Sequence, residues 1–133
     1  MEGFGARMEE LATELVRIKS VVGTAGEAEI TAWIHDWLAR MPYFVEHPEE
    51  LILHCLPGDK QGRSCIIATI RARKPSKDAV LLLGHTDTVG TSDYAAAERW
   101  STDPKCLPGV LSSMKLGTGT IEDIKSGGYI FGR

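Results

Sequence analysis

The chain has 133 residues, 43% of them apolar and 25% charged, with a formal net charge of −3. That size and balance suit one soluble globular domain. The basic residues are scattered, with Arg71, Arg73, Lys74 and Lys77 as the one local cluster, so the electrostatic footprint of a nucleic-acid partner is missing.

The longest apolar runs, Cys65 to Ile70 and Ala79 to Leu83, are far shorter than the ~20 residues a membrane helix requires. Met1-Glu2-Gly3-Phe4 lacks the basic and apolar regions of a signal peptide. No membrane partner and a cytoplasmic location are therefore expected. Cys55, Cys65 and Cys106 are odd in number and include no CxxC pair, which excludes a disulfide framework and a thiolate zinc knuckle. Cys55 and Cys65, inside apolar runs, read as small core residues, and Cys106 does not read as a nucleophile.

The first predicted element is an amphipathic helix from about Ala6 to Lys19, because Met8, Leu11, Leu15 and Ile18 recur at three- and four-residue spacing. Thr24 stands three residues before Glu27, the spacing of a capping box, and predicts the start of a second helix. Its apolar face is Ile30, Trp33, Ile34, Trp37, Leu38 and Met41, and Pro42 ends it.

Beyond Pro42 the period changes to that of strands: Leu51 to Leu56, a Pro57-Gly58-Asp59 turn, then Ser64 to Arg71, a second turn, and Ala79 to Leu83. The third run is apolar at every position, the habit of a central strand covered on both faces. From Gly90 to Gly128 no period persists, which predicts an extended loop with short turns. Such a length of loop is unusual in a compact domain unless it is functional or supported by further chain. Gly128 to Arg133 resumes a strand-like pattern.

His85 and Asp87 follow the most apolar strand directly, and open α/β sheets place their ligands at the carboxyl ends of strands. An imidazole is the commonest zinc ligand, and a neighbouring carboxylate can fix its tautomer. On the pattern alone, His-x-Asp is a short motif, and a structural histidine is the commoner reading. His35, His47 and His54 read as surface or packing residues. Lys125-Ser126 does not complete a phosphate-binding loop, because Ile124 stands where that motif needs glycine.

A resemblance adds to this reading. An apolar strand running into Gly84-His85-Thr86-Asp87-Thr88-Val89, then Trp100-Ser101-Thr102-Asp103-Pro104, then Gly128-Tyr129-Ile130-Phe131-Gly132-Arg133, resembles the zinc peptidase family of aminoacylase, acetylornithine deacetylase and succinyl-diaminopimelate desuccinylase. Leu15-Val16-Arg17-Ile18-Lys19-Ser20, Gly26-Glu27 and Gly62-Arg63-Ser64 match upstream, and the wording of Ala32-Trp33-Ile34 and Met41-Pro42-Tyr43-Phe44 is similar to the arginine-utilisation branch. Cys65, where an asparagine is expected, and the stretch from Pro108 to Ser126 depart from the pattern.

The resemblance implies an α/β/α three-layer catalytic domain with a largely parallel sheet, residues 1–133 being its truncated amino-terminal part, with no second domain. It implies His85 as a ligand to one of two zinc ions, cobalt or manganese being the other metals considered. Asp87 becomes the catalytic-site carboxylate that orients this histidine. The substrate implied is a small peptide or an N-acylated amino acid, cut at its amide bond. The family's bridging aspartate, Glu-Glu pair and later ligands are not in this sequence, so the chain alone is expected to hydrolyse nothing. Unpaired sheet edges predict self-association. The rival expectation is a non-catalytic α/β binding or regulatory module of the same ancestry.

Overall fold

A computed structural model of the chain describes residues 2–133. In chain order the elements are α1 (Glu2–Arg17), α2 (Gly26–Ala39), α3 (Pro42–Glu46), β1 (Leu51–Cys55), β2 (Ser64–Ala68), α4 (Leu107–Ser112) and α5 (Thr118–Ser126), with 3-10 segments at Pro48–Glu50 and Ser92–Trp100. The backbone divides into two compact units, Ser20–Asp87, and residues 2–19 with Thr88–Arg133.

In the unit Ser20–Asp87, α2 lies on one face of an antiparallel hairpin of β1 and β2, in the register Leu51↔Ala68 to Cys55↔Ser64. Strand alternation sends Leu51, Leu53, Ser64 and Ile66 to the less exposed face and leaves Ile52, His54, Cys65 and Ile67 exposed. Ile30 of α2, Phe44 of α3 and Leu51 are the buried apolar residues of this unit. Each such side chain contributes roughly 1.5–3 kcal/mol on leaving water. Thr31 joins helix to strand through its hydroxyl, 3.0 Å from that of Ser64.

Glu50 is buried and ion-paired with Arg71, whose backbone N–H donates to the Tyr43 hydroxyl at 2.9 Å. These bonds fix the far end of the hairpin to α3.

The helix start differs from a standard capping box. The cap of helix α2 is Ala25, one residue beyond the expected Thr24, so the helix begins at Gly26, and the Glu27 carboxylate accepts from the N–H of Gly23 at 2.7 Å instead of from Thr24. The Thr24 hydroxyl donates to the Val21 carbonyl, 2.6 Å away, and accepts from the Gly26 N–H. Pro42 ends the predicted run as expected and then serves at the first turn of α3.

Three expectations are corrected. Residues 79–83 form no strand: they pair with nothing among the described residues, and Val80, Leu81, Leu82 and Leu83 are 79–88% exposed. An all-apolar strand is stable only between a neighbouring strand and covering layers, and no described residues supply them here. The regular structure is mixed helix with a two-stranded antiparallel sheet, and the expected parallel sheet is not formed by the described residues. Cys55 and Cys65 are exposed, Cys65 on the uncovered outer face of the hairpin and Cys55 at the end of β1.

In the other unit, the expected loop from Gly90 to Gly128 holds regular elements. Asp103 accepts from the N–H groups of Lys105 and Cys106, both at 3.1 Å, and this turn leads into α4. Helix α5 ends at Gly127, whose φ of 66° is the left-handed value that favours glycine at a helix end. The segment Ser92–Trp100 kinks at Ala95, with φ 48°. The buried residues are Thr91, Ala97, Ser101 and Leu107. Gly128–Arg133, expected to be strand-like, is unpaired as a strand. Arg133 instead donates its backbone N–H to the Ser101 carbonyl at 2.9 Å and its guanidinium to Gly90 and Asp93 at 2.7 and 2.6 Å.

Candidate functional site

The hairpin turn, the start of α2 and residues 84–87 enclose a cleft of about 300 Å³. Its walls include Glu27, Thr31, Arg63, Ser64, Cys65, Ile66, Gly84, His85, Thr86 and Asp87, all within the unit Ser20–Asp87. Both residues singled out from the sequence, His85 and Asp87, thus line one cleft together.

Their mutual geometry suits one imidazole tautomer. His85 Nδ1 lies 3.1 Å from the Asp87 carbonyl oxygen and 3.4 Å from Asp87 Oδ1. A carbonyl only accepts, so this contact is a hydrogen bond when Nδ1 carries the proton. Nε2 then keeps its lone pair on a side chain that is 82% exposed. That is the state in which histidine ligates a metal, with the other ring nitrogen satisfied by oxygen. The carbonyl is the nearer acceptor and the Asp87 carboxylate the farther.

At the cleft one histidine stands with one carboxylate beside it. Among the described residues no group of three or more His, Cys, Asp and Glu side chains converges to hold an ion, whereas a catalytic zinc takes three protein ligands. His35 lies beside Asp36 and His47 beside Glu49, at 3.4 and 3.7 Å, and neither lines the cleft. His54 stands on the outer hairpin face opposite Cys65. The Cys106 thiol is pushed up from its ordinary value by the adjacent Asp103 carboxylate, the opposite of what a thiolate nucleophile requires.

Sequence reasoning missed the clamp on the cleft's far wall. Asp59 accepts from the Arg63 backbone N–H at 2.8 Å and from the guanidinium Nε and Nη2 at 3.0 and 2.6 Å, and Gln61 N–H donates to the same carboxylate at 3.2 Å. Glu27 Oε1 lies 3.9 Å from Arg63 Nη1. Pro57-Gly58-Asp59 was legible as a turn; an aspartate and arginine four residues apart across it were the available signal for a clamp.

The Arg63 side chain holds the Asp59 carboxyl at about 2, below its ordinary 3.8. A carboxylate depressed on folding contributes stability that is complete above the unfolded value and is lost as pH falls through the folded one. The turn is therefore expected to keep its form down to pH 3.8 and to loosen between 3.8 and about 2. An NMR titration of the Asp59 carboxyl carbon checks this, and a midpoint at the ordinary value would contradict the clamp.

The comparisons with known proteins agree with the branch that the sequence resembles. The chain is 32% identical over 127 residues to Protein RocB of Bacillus subtilis (strain 168), a match that covers 96% of this chain and 22% of RocB. It is 34% identical over 125 residues to the uncharacterised protein YqjN of the same organism, covering 92% of this chain and 22% of YqjN. The chain thus spans about a fifth of the length of these curated relatives. No family model matches the chain, and neither does any solved structure. Among the described residues no helix is long and apolar enough to cross a membrane.

Proposed function

We propose that this chain is the amino-terminal part of the catalytic domain of a di-zinc amidohydrolase or peptidase, one that cuts an amide bond of a small peptide or N-acylated amino acid, in the arginine-utilisation branch of the zinc peptidase family. The α/β/α three-layer domain with a parallel sheet belongs to this proposal, as does a cytoplasmic location. The observation that carries it is the His85 imidazole, which lines a cleft with Asp87 and has Nδ1 turned to the Asp87 carbonyl. The similarity to RocB along nearly the whole chain supports the branch.

In this reading His85 Nε2 is one zinc ligand, and Asp87 orients the ring and raises its basicity. Zinc, when bound, polarises the scissile carbonyl and lowers the pKa of a water toward ~7. Arg63 and Glu27 shape the wall of the same cleft. Residues outside this segment complete the ligand set and supply the general base.

The test is hydrolysis of N-acylated amino acids and dipeptides by a longer protein carrying this segment, before and after chelation. Activity is expected to vanish with the metal and return on adding zinc, cobalt or manganese, and the 133-residue chain alone is expected to be inactive. A longer protein that binds these compounds without cutting them would favour the non-catalytic module.

A further inference from the structure

We propose that Ser20 is the positioning residue for His85; this rests on the reading of His85 as a metal ligand. Ser20 is 1% exposed, among the most buried side chains of the molecule, although it is polar. Its hydroxyl donates to the carbonyl of Thr86 at 2.7 Å, across 66 positions of sequence. Thr86 is the residue between His85 and Asp87. A buried hydroxyl is costly unless bonded, and the bond it makes grips the backbone that sets the angle of the imidazole.

The two sides of that bond are unequally held. On the Ser20 side the chain is braced: Gly23 donates its N–H to Glu27 at 2.7 Å, the Gln61 side chain donates to the Gly23 carbonyl at 3.3 Å, and Thr24 donates to Val21 at 2.6 Å. On the other side, residues 79–84 are exposed, and no other side-chain hydrogen bond from elsewhere among the described residues reaches residues 84–87. Ser20 therefore transmits the rigidity of the α2 entrance to the His85 loop. Its effect on His85 runs through the Thr86 backbone.

The test compares Ser20→Ala and Ser20→Thr with wild type by NMR, each in a longer protein that carries this segment and the remaining ligands, reading the Thr86 carbonyl carbon shift and the zinc affinity followed on the His85 imidazole signals. Ser20→Ala is expected to move the Thr86 carbonyl shift and to weaken zinc binding about tenfold, the lower end of what removing a supporting hydrogen bond costs a metal site. Ser20→Thr, which keeps the hydroxyl, is expected to restore both. Should the alanine variant lose its helical circular dichroism, Ser20→Val against Ser20→Thr, alike in shape and differing in the hydroxyl, gives the same comparison. An unchanged carbonyl shift and affinity in a folded Ser20→Ala would overturn the proposal. Wild-type His85 signals that ignore zinc would instead sink the metal reading, while the carbonyl shift still decides whether Ser20 holds the loop.

Discussion

Replacing His85 by alanine in a longer protein that carries this segment is expected to remove zinc-dependent hydrolysis, with a larger loss than Asp87→Ala produces. The ranking follows from the geometry. In the proposed reading His85 Nε2 is the ligand atom, whereas Asp87 acts on the opposite ring nitrogen, through its carbonyl at 3.1 Å and its carboxylate at 3.4 Å. Because the carbonyl survives any side-chain change, Asp87→Ala removes the farther acceptor alone and is expected to cost about 10–100-fold in metal affinity or activity. His85→Ala deletes the ligand outright. Metal content and kcat/KM of the two variants, measured side by side, check the order. Full metal retention and turnover in His85→Ala would end the amidohydrolase reading of this cleft.

Gly132→Ala is expected to destabilise the unit formed by residues 2–19 and Thr88–Arg133 by about 1–3 kcal/mol, the range for overpacking a filled site. A Cβ at Gly132 would stand 2.2 Å from Val16 Cγ1 and 3.3 Å from the Ser101 carbonyl oxygen, at a φ of 157°. Valine is stiff about its one side-chain torsion, so the methyl group has little room to yield. Val16→Ala removes that methyl group and leaves Cβ at 3.6 Å, an ordinary contact. The double variant is accordingly expected to be more stable than the sum of the single changes predicts. Urea unfolding of the four proteins measures this, and strict additivity would show that the clash is not the cause.

What the sequence made legible was local. Helix α1 and helix α2 follow from apolar spacing, and the hairpin from two short apolar runs about Pro57-Gly58-Asp59, with strand ends within a few residues of those expected. These signals depend on residues a few positions apart. Ala79 to Leu83 failed because an all-apolar run states a need for two covered faces without supplying them. The stretch from Gly90 to Gly128 failed for the opposite reason. Helices α4 and α5 are 6 and 9 residues long, too short for a helical period to stand out, and their markers were single residues, Asp103 before one and Gly127 after the other.

At the cleft, His85 and Asp87 were legible as a pair because they are two residues apart. Glu27 and Arg63 line the same cleft through folding, and Ser20 reaches Thr86 across 66 positions, which no spacing rule encodes.

In the proposed reading of His85 as a zinc ligand, the exposed stretch at residues 79–83 bears on how firmly the ion is captured. Fixing one residue's backbone costs roughly 1–2 kcal/mol, so freezing five costs on the order of 5–10 kcal/mol. Any strand that pairs with this tether beforehand takes that entropic charge off the capture step. Affinity for the ion would then rise without a single new bond to it, and metal loading would become a gauge of sheet assembly.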